Sequence, residues 1–347
     1  MKATLPKKPK ANRVVAAMQT LTEIAQDLKA RDNFVICGHV SPDGDCIGSQ
    51  LALAEGLRAL GKTVTCLLAK TDAIDYSLAH LPGVEDMVIA KDFTSPFDTF
   101  IAVDVPLVKR MGEEAAALHA RAAHTITIDH HPSLEPMSDA NYIDDAAPAC
   151  AMIVWNLLAE LGVSRTATMA SAAYVGLMTD TGRFQYQNTN AAALRAAAEM
   201  VDAGADPADL ATLMYQNRSP QSMALEERML SNHSVLEGGT CAYSFLTIQD
   251  FVDTGATRAD AEPLIDVLRC MRGVRVACLL REQDNNVRGS LRAKDETDVS
   301  VIAQRLGGGV HKAAAGFTFE GSMDEAIAAL KGELSEFTQA APATNAS

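Results

Sequence analysis

Three short apolar runs in this chain each stop at a residue that can hold a metal or move a proton, and that repetition narrows the folds open to it. Residues 34–37, FVIC, lead into His39, Asp43 and Asp45 across a Pro-Asp-Gly break. Residues 99–105, TFIAVDV, place Asp104 near the end of a second run, and Pro106 closes it. Residues 124–132, HTITIDHHP, end in Asp129, His130 and His131 before Pro132. Such runs read as buried strands. After the first of them Ile47, Leu51, Ala54 and Leu57 recur at helical spacing, and Gly61 stops the helix. Strands alternating with helices call for an α/β fold, a mainly parallel sheet with helices on both faces. In open sheets of that kind ligands bind outside the carboxyl ends of the strands. The three polar strand ends therefore converge on one expected site.

The remaining pattern divides the chain. Residues 1–13 are expected as a disordered tail, and Val14, Val15, Met18, Leu21, Ile24 and Leu28 as one face of a helix over 12–30. Residues 63–69 read as a strand, and 149–161, 166–179 and 190–203 as helices, the second running into Asp180. These complete a first domain over 14–205. Residues 206–237 are polar and helical in pattern and read as a connector. Gly238 and Gly239 open a smaller α/β domain over 238–340. Its order is strand 240–248, helix 260–271, strands 275–281 and 286–293, helix 298–306, strand 315–320 and helix 322–338. Ser322 and Glu325 give the last helix a capping box.

Composition enters mainly through what it excludes. No apolar run approaches the ~20 residues that span a bilayer, and the basic start MKATLPKKPKANR lacks the apolar core of a secretory signal. Seven cysteines without a C-x-x-C pair argue against a zinc ribbon or a disulfide framework and fit a reduced cytoplasm. A net charge of −14 speaks against long nucleic acid, double-stranded nucleic acid included. Small anions remain open as substrates, because metals and a few arginines supply local positive charge.

The candidate set is His39, Asp43, Asp45, Asp104, Asp129, His130, His131 and Asp180. A carboxylate-rich group with imidazoles suits Mn²⁺ or a similar divalent ion. So many carboxylates in one crevice need cations between them. Two ions ~3.5–4 Å apart activate water and steady an in-line displacement at phosphorus. Asp104, alone on its strand, suits a bridging role. His80, His119, His124 and His233 lie off these motifs and are expected at the surface, and Trp155 in the core. Arg183 and Phe184, just after Asp180, suit either substrate contact or packing.

H-x3-D-x-D at 39–45, V-D at 103–104, D-H-H at 129–131 and the later Asp180 resemble the four motifs of the DHH phosphoesterase superfamily. GGGVHKAAAG, residues 307–316, resembles the glycine-rich motif of its DHHA1 substrate domain, so the likeness runs over about 20–335. It implies that His39, Asp43 and Asp104 hold one metal, and that Asp45, Asp104, His130 and Asp180 hold the other. It implies His131 beside the scissile phosphate, with Asp129 orienting an imidazole. Gly308, Gly309 and His311 are expected to meet substrate, and Arg292, on one strand face with Arg288 and Ser290, to grip a phosphate. Val310 stands where many relatives have glycine, so that loop departs from the pattern.

The chain lacks the added domains of exonucleases on long single strands and the membrane or sensor segments of some cyclic-dinucleotide hydrolases. What remains resembles the bacterial bifunctional oligoribonuclease and adenosine 3′,5′-bisphosphate (pAp) phosphatase group. That implies hydrolysis of short RNA oligonucleotides to mononucleotides, or of pAp to AMP, by water activated by two Mn²⁺, with Mg²⁺ or Co²⁺ as substitutes. A homodimer is a family-level expectation. The alternatives are a cyclic- or linear-dinucleotide phosphodiesterase using the same residues, and a nucleotide-binding module that has lost hydrolysis.

Overall fold

The computed structural model describes residues 18–70, 74, 76–132, 136–236, 238–308 and 314–340, with side chains to 335. The tail expected over 1–13 lies outside them, as do Gly309, Val310 and His311. The chain forms two compact units that divide after Asn217.

The first unit is built on a six-stranded, wholly parallel sheet. Its strands are β1 (Phe34–Cys37), β2 (Val64–Leu68), β3 (Val88–Ile89), β4 (Thr99–Val103), β5 (His124–Asp129) and β6 (Ala140–Ile143), in the order β3-β2-β1-β4-β5-β6. Every residue of β1 and β4 is buried, because both faces of the sheet are covered. Alternate side chains enter different cores. Phe34, Ile36, Ile101 and Val103 join one cluster with helices α1 (Leu21–Ala30), α2 (Gly44–Ala59), α5 (Cys150–Glu160), α6 (Ala167–Asp180) and α7 (Ala191–Asp202). Val35, Cys37, Phe100 and Ala102 join another, under α4 (Gly112–Arg121); α3 (Tyr76–Ala79) is a single turn. β6 was not expected: it is four residues long, on the sheet edge, and half of it is only partly buried, so it carries little apolar signal.

Residues 12–17 of the expected first helix lie outside the described residues, and within those the helix begins at Leu21. Thr20 and Glu23 close a capping box there, and the backbone just before it is extended, with Met18 bridging Asn141. His119 corrects the surface expectation, being 4% exposed with its ring edge-on to Phe100 and Nε2 3.1 Å from Ser138 Oγ. His124 is likewise part-buried, 2.7 Å from Asp27 Oδ2. Trp155 is fully buried in the core.

Residues 206–237 divide between the units. Helix α8 (Pro207–Tyr215) adds Leu210 to the first core, whereas α9 (Pro220–Ser231) adds Leu225 and Met229 to a core of the second. The second unit has a five-stranded mixed sheet of β7 (Ser234–Val235), β8 (Cys241–Leu246), β9 (Val276–Glu282), β10 (Val287–Ala293) and β11 (Ala314–Phe319), ordered β11-β10-β9-β8-β7. β8 and β9 run parallel and the other pairs antiparallel. One face carries α12 (Val299–Arg305) and α13 (Met323–Ala340), the other α9, α10 (Ile248–Thr254) and α11 (Leu264–Arg269). The short helix α10 was missed; Thr247 and Asp250 cap it, but none of its residues is fully buried to give a periodic face. Ser322 and Glu325 exchange the expected capping bonds. No described helix is long and apolar enough to cross a membrane.

Candidate metal centre

The centre sits at the carboxyl ends of β1, β4 and β5, with α2 and α6 bringing the remaining donors. Asp43 is the N-cap of α2, its Oδ1 accepting from the Asp45 and Cys46 amides at 3.1 and 3.0 Å. Helix α2 lies very close to α6. A Cβ at Gly48 would stand 2.3 Å from the Ala172 carbonyl, and one at Gly176 would meet Asp45 Oδ1 at 2.9 Å. Those two glycines let Asp45 and the last residue of α6, Asp180, approach the same point. Asp104, just past β4, has φ +53°, a left-handed backbone that costs a non-glycine residue about 1–2 kcal/mol. Such strain gathers where a side chain must be aimed.

Asp104 is 2% exposed and divides its oxygens among three imidazoles. Oδ2 lies 3.4 Å from His39 Nε2, and Oδ1 lies 3.4 Å from His130 Nε2 and 3.5 Å from His131 Nδ1. His39 Nε2 is also 3.9 Å from Asp43 Oδ1. His130 Nε2 is 3.7 Å from both Asp45 Oδ2 and Asp180 Oδ2. The geometry thus gathers His39, Asp43 and Asp104 on one side, and Asp45, Asp104, His130 and Asp180 on the other.

His130 tests whether cations fit. Its Nδ1 is 3.2 Å from the Ala147 carbonyl, which only accepts, so Nδ1 carries the proton. The Nε2 lone pair then faces three carboxylate oxygens. Acceptors do not gather round an acceptor unless positive charge stands among them. An ion with N and O bonds of ~2.0–2.2 Å holds its ligands roughly 3–3.5 Å apart, close to the spacing seen. Asp104 Oδ1 and His39 Nδ1 are buried with no hydrogen-bond partner among the described residues, which fits a group that awaits a cation. The donor set is one for divalent metal, with oxygen and nitrogen predominating.

Without an ion, protons carry the compensation. Burial pulls the His130 imidazolium down, but the carboxylates of Asp104, Asp180 and Asp45 outweigh it and raise its pKa to about 11. His39 rises to about 9 by the same contest, with Asp104 and Asp43 prevailing over burial. Burial and the Asp104 charge push Asp45 up to about 8. Asp180 is raised well above the carboxylate range by burial and by Asp45. Asp104 alone is lowered: its burial is outweighed by the imidazoles of His130, His39 and His131 around it.

Two supports were not legible in the sequence. Asp45 Oδ2 and Oδ1 accept from the Cys150 and Ala151 amides at 2.7 and 2.8 Å, so this carboxylate also satisfies the start of α5, whose own N-cap is Ala149. The Cys46 thiol joins His39 and Asp104 in a group whose donor atoms lie within 4.8 Å of one another. Asp129, fully buried, serves His131 through its side chain: Oδ1 is 2.7 Å from His131 Nδ1 and accepts the amides of His130 and His131.

After Asp180 the chain turns through three successive left-handed residues, Gly182, Arg183 and Phe184, with φ of 54°, 64° and 60°. Phe184 packs on Tyr174 at 5.8 Å and against the first core, the packing role open to it. Arg183 is exposed, with Cζ 4.6 Å from the Tyr215 ring centroid. Its backbone strain costs about 1–2 kcal/mol, and an exposed cation–π contact returns about 0.5–1 kcal/mol.

In the second unit β10 turns Val287, Leu291 and Ala293 into the core and Arg288, Ser290 and Arg292 to the other face. That face continues onto β11 through Thr318, Gly316 and Ala314, so small residues floor the arginines. Arg288 donates to Thr318 Oγ1, Arg292 to the Leu291 carbonyl, and Arg281 from β9 to Ser290 Oγ. Gly308 bridges Phe317, and a Cβ there would stand 2.2 Å from the Gly316 carbonyl, so this close approach alone requires glycine. Residues 33–179 match the DHH family, N-terminal domain, and residues 238–336 match the DHHA1 domain. The chain is 32% identical over 305 residues to the bifunctional oligoribonuclease and PAP phosphatase NrnA of Thermus thermophilus, an alignment covering 87% of this chain and 90% of that protein. This chain belongs to the DHH family. A Bacillus subtilis protein of the same description is 26% identical, with 88% and 95% covered. An exopolyphosphatase-related protein from Bacteroides fragilis superposes with a TM-score of 0.86 at 26% identity, covering 95% of this chain and 99% of that one. As a DHH-family protein with a DHHA1 domain, the chain is a phosphoesterase that hydrolyses its substrate.

Proposed function

We propose that the chain hydrolyses very short oligoribonucleotides to mononucleotides, and pAp to AMP, using two divalent ions, Mn²⁺ by preference. The carrying observation is the division of Asp104, one oxygen toward His39 and the other toward His130, with further carboxylates behind each imidazole. The Thermus thermophilus and Bacillus subtilis relatives, matched over most of their length, are named for both activities. His39, Asp43 and Asp104 would hold one ion, and Asp45, Asp104, His130 and Asp180 the other. Bound there, the pair supplies an activated water and neutralises charge developing at phosphorus.

The chain's own groups do the rest. Asp104 keeps both donor sets at one spacing, and its strained backbone aims it. Ala147 fixes the His130 tautomer, leaving Nε2 to donate its lone pair. Asp129 accepts from His131 Nδ1, so a proton passed to the leaving oxygen departs from Nε2. Arg292, with Gly308, Gly309 and His311, is assigned to the substrate's remaining phosphate. The buried, unbridged thiols fit a cytoplasmic setting.

A turnover panel of pApA, pAp and cyclic di-AMP with Mn²⁺, Mg²⁺ and Co²⁺ tests the reading. Wild type is expected to cleave pApA and pAp best with Mn²⁺. Asp104→Ala is expected to lose more than about 100-fold in kcat, since even groups that only orient metal ligands are worth 10–100-fold. Preference for the cyclic substrate would transfer the assignment to the cyclic-dinucleotide hydrolases. Nucleotide binding without turnover of any substrate would leave a binding module.

A further inference from the structure

The turn after Asp180 keeps a cost that packing does not explain. Its bonds are complete: the Arg183 amide donates to the Met178 carbonyl at 2.7 Å, those of Gln185 and Tyr186 to the Thr181 carbonyl at 3.0 and 2.9 Å, and that of Phe184 to Thr181 Oγ1 at 3.2 Å. Glycine adopts the left-handed region freely, and Gly182 uses that freedom. Phe184 offsets its strain by burying its ring. Arg183 has no such return. It is exposed, no carboxylate pairs with it among the described residues, and its cation–π contact with Tyr215 at best balances the strain. A glycine at position 183 would serve the fold at least as well.

We infer that Arg183, seated against Tyr215 three residues beyond Asp180, is a shelf on which a nucleobase of the substrate stacks. The inference rests on the phosphoesterase reading above and adds a binding site to it. A guanidinium is planar, and bases stack on such planes as they do on aromatic rings. Tyr215, part-buried at the end of α8, holds the cation from behind and leaves its outer side to solvent. Three residues reach at most roughly 10 Å even when extended, so the backbone of the shelf stands within that distance of Asp180, a carboxylate of the centre. The backbone turn fixes that distance, and a stacked base would thereby register the phosphodiester over the metals without any base-specific hydrogen bond. Sequence-tolerant stacking of this kind suits an enzyme that degrades short RNA of mixed sequence.

The test uses the full-length, Mn²⁺-loaded protein and reads equilibrium binding of AMP and of ribose 5-phosphate, with KM and kcat on pApA alongside. Wild type is expected to prefer AMP. Arg183→Gly relieves the strained turn and should melt no lower than wild type, so its losses cannot be laid to misfolding. In Arg183→Gly and Tyr215→Leu, AMP affinity should fall about 10-fold and KM rise equally, while ribose 5-phosphate binding stays unchanged. Arg183→Lys keeps the charge but not the plane and should resemble the glycine variant. Full AMP affinity in Arg183→Lys, or equal losses for AMP and ribose 5-phosphate, would show a phosphate contact and overturn the shelf. Unchanged AMP affinity and KM in Arg183→Gly would overturn it too. Wild type that neither cleaves pApA nor binds AMP would instead sink the underlying assignment.

Discussion

The metal centre of the first unit and the arginine face of β10 in the second place charge in opposite ways. At the centre, short side chains with few rotamers are buried among fixed partners: Asp104 is 2% exposed, His130 is pinned by Ala147, and Asp45 is held by the amides of α5. On β10, long flexible side chains stand on a strand face and find local oxygens, the Thr318 hydroxyl for Arg288 and the Leu291 carbonyl for Arg292. The first arrangement is costly to fold and cheap to use, because its carboxylates are already gathered against their mutual repulsion. The second costs the fold little and, on the proposed assignment, would order its side chains when substrate arrives. Changes at the centre should therefore act on turnover and on stability in opposite senses. Changes on the arginine face should act on binding alone.

The sharpest test of that contrast is Asp180→Asn. Its carboxyl is raised well above its ordinary range by burial and Asp45, so an amide removes the cost of placing an ionisable group there in the metal-free protein. We expect the melting temperature of that apo-protein to rise by a few degrees, while kcat with Mn²⁺ falls more than about 100-fold. A variant that melted lower and kept its turnover would erase the distinction. Next in size, Asp129→Asn should lower kcat about 10–100-fold, because an amide cannot keep His131 Nδ1 protonated as a carboxylate does. Metal affinity, read by calorimetry, should change little, since Asp129 Oδ1 is spent on His131 and on two amides. Arg292→Ala should raise KM for pApA about 10-fold, the worth of a charge-assisted hydrogen bond, with kcat and melting temperature near wild type. A large kcat loss there would place Arg292 in the chemistry instead.

The same contrast governs what could be read from the sequence. The candidate ligands other than Asp180, which ends helix α6, were legible because each follows a strand whose apolar run is unmistakable, and because Pro-Asp-Gly and Pro132 mark where those strands stop. Arg288, Ser290 and Arg292 were legible because a strand's period of two is strict. What escaped was whatever depends on two distant elements meeting. Asp45 satisfies the start of α5 105 residues away, and no local pattern announces that bond. Tyr215 meets Arg183 only because α8 packs beside α6. His119 looked like surface trimming on an alanine-rich helix, yet Phe100 and Ser138 bury it. Edge strand β6 and helix α10 were missed because neither buries enough apolar surface to print a period.

The smallest effect expected is also the most direct reading of the gathered charge. Between pH 6 and 9 the unfolded chain releases the protons of its histidines near 6.5 and holds none on its carboxylates. The metal-free folded protein keeps a proton on His39 to about 9 and on Asp45 to about 8. The folded state thus binds more protons than the unfolded one across this window, and stability falls as pH rises. The His39 contribution is whole below 6.5 and gone above about 9; Asp45 adds a loss of the same sign that ends near 8. Apo-protein should therefore melt a few degrees lower at pH 9 than at pH 6. A divalent ion replaces those protons, so the stabilisation it confers should grow over the same interval. Melting curves at both pH values, with EDTA and with Mn²⁺, check both signs at once. A metal-induced shift that shrank with pH would mean that the ion does not compete for these protons. Arg292→Ala, with no part in the cluster, should show the wild-type pH dependence, whereas Asp180→Asn should flatten it.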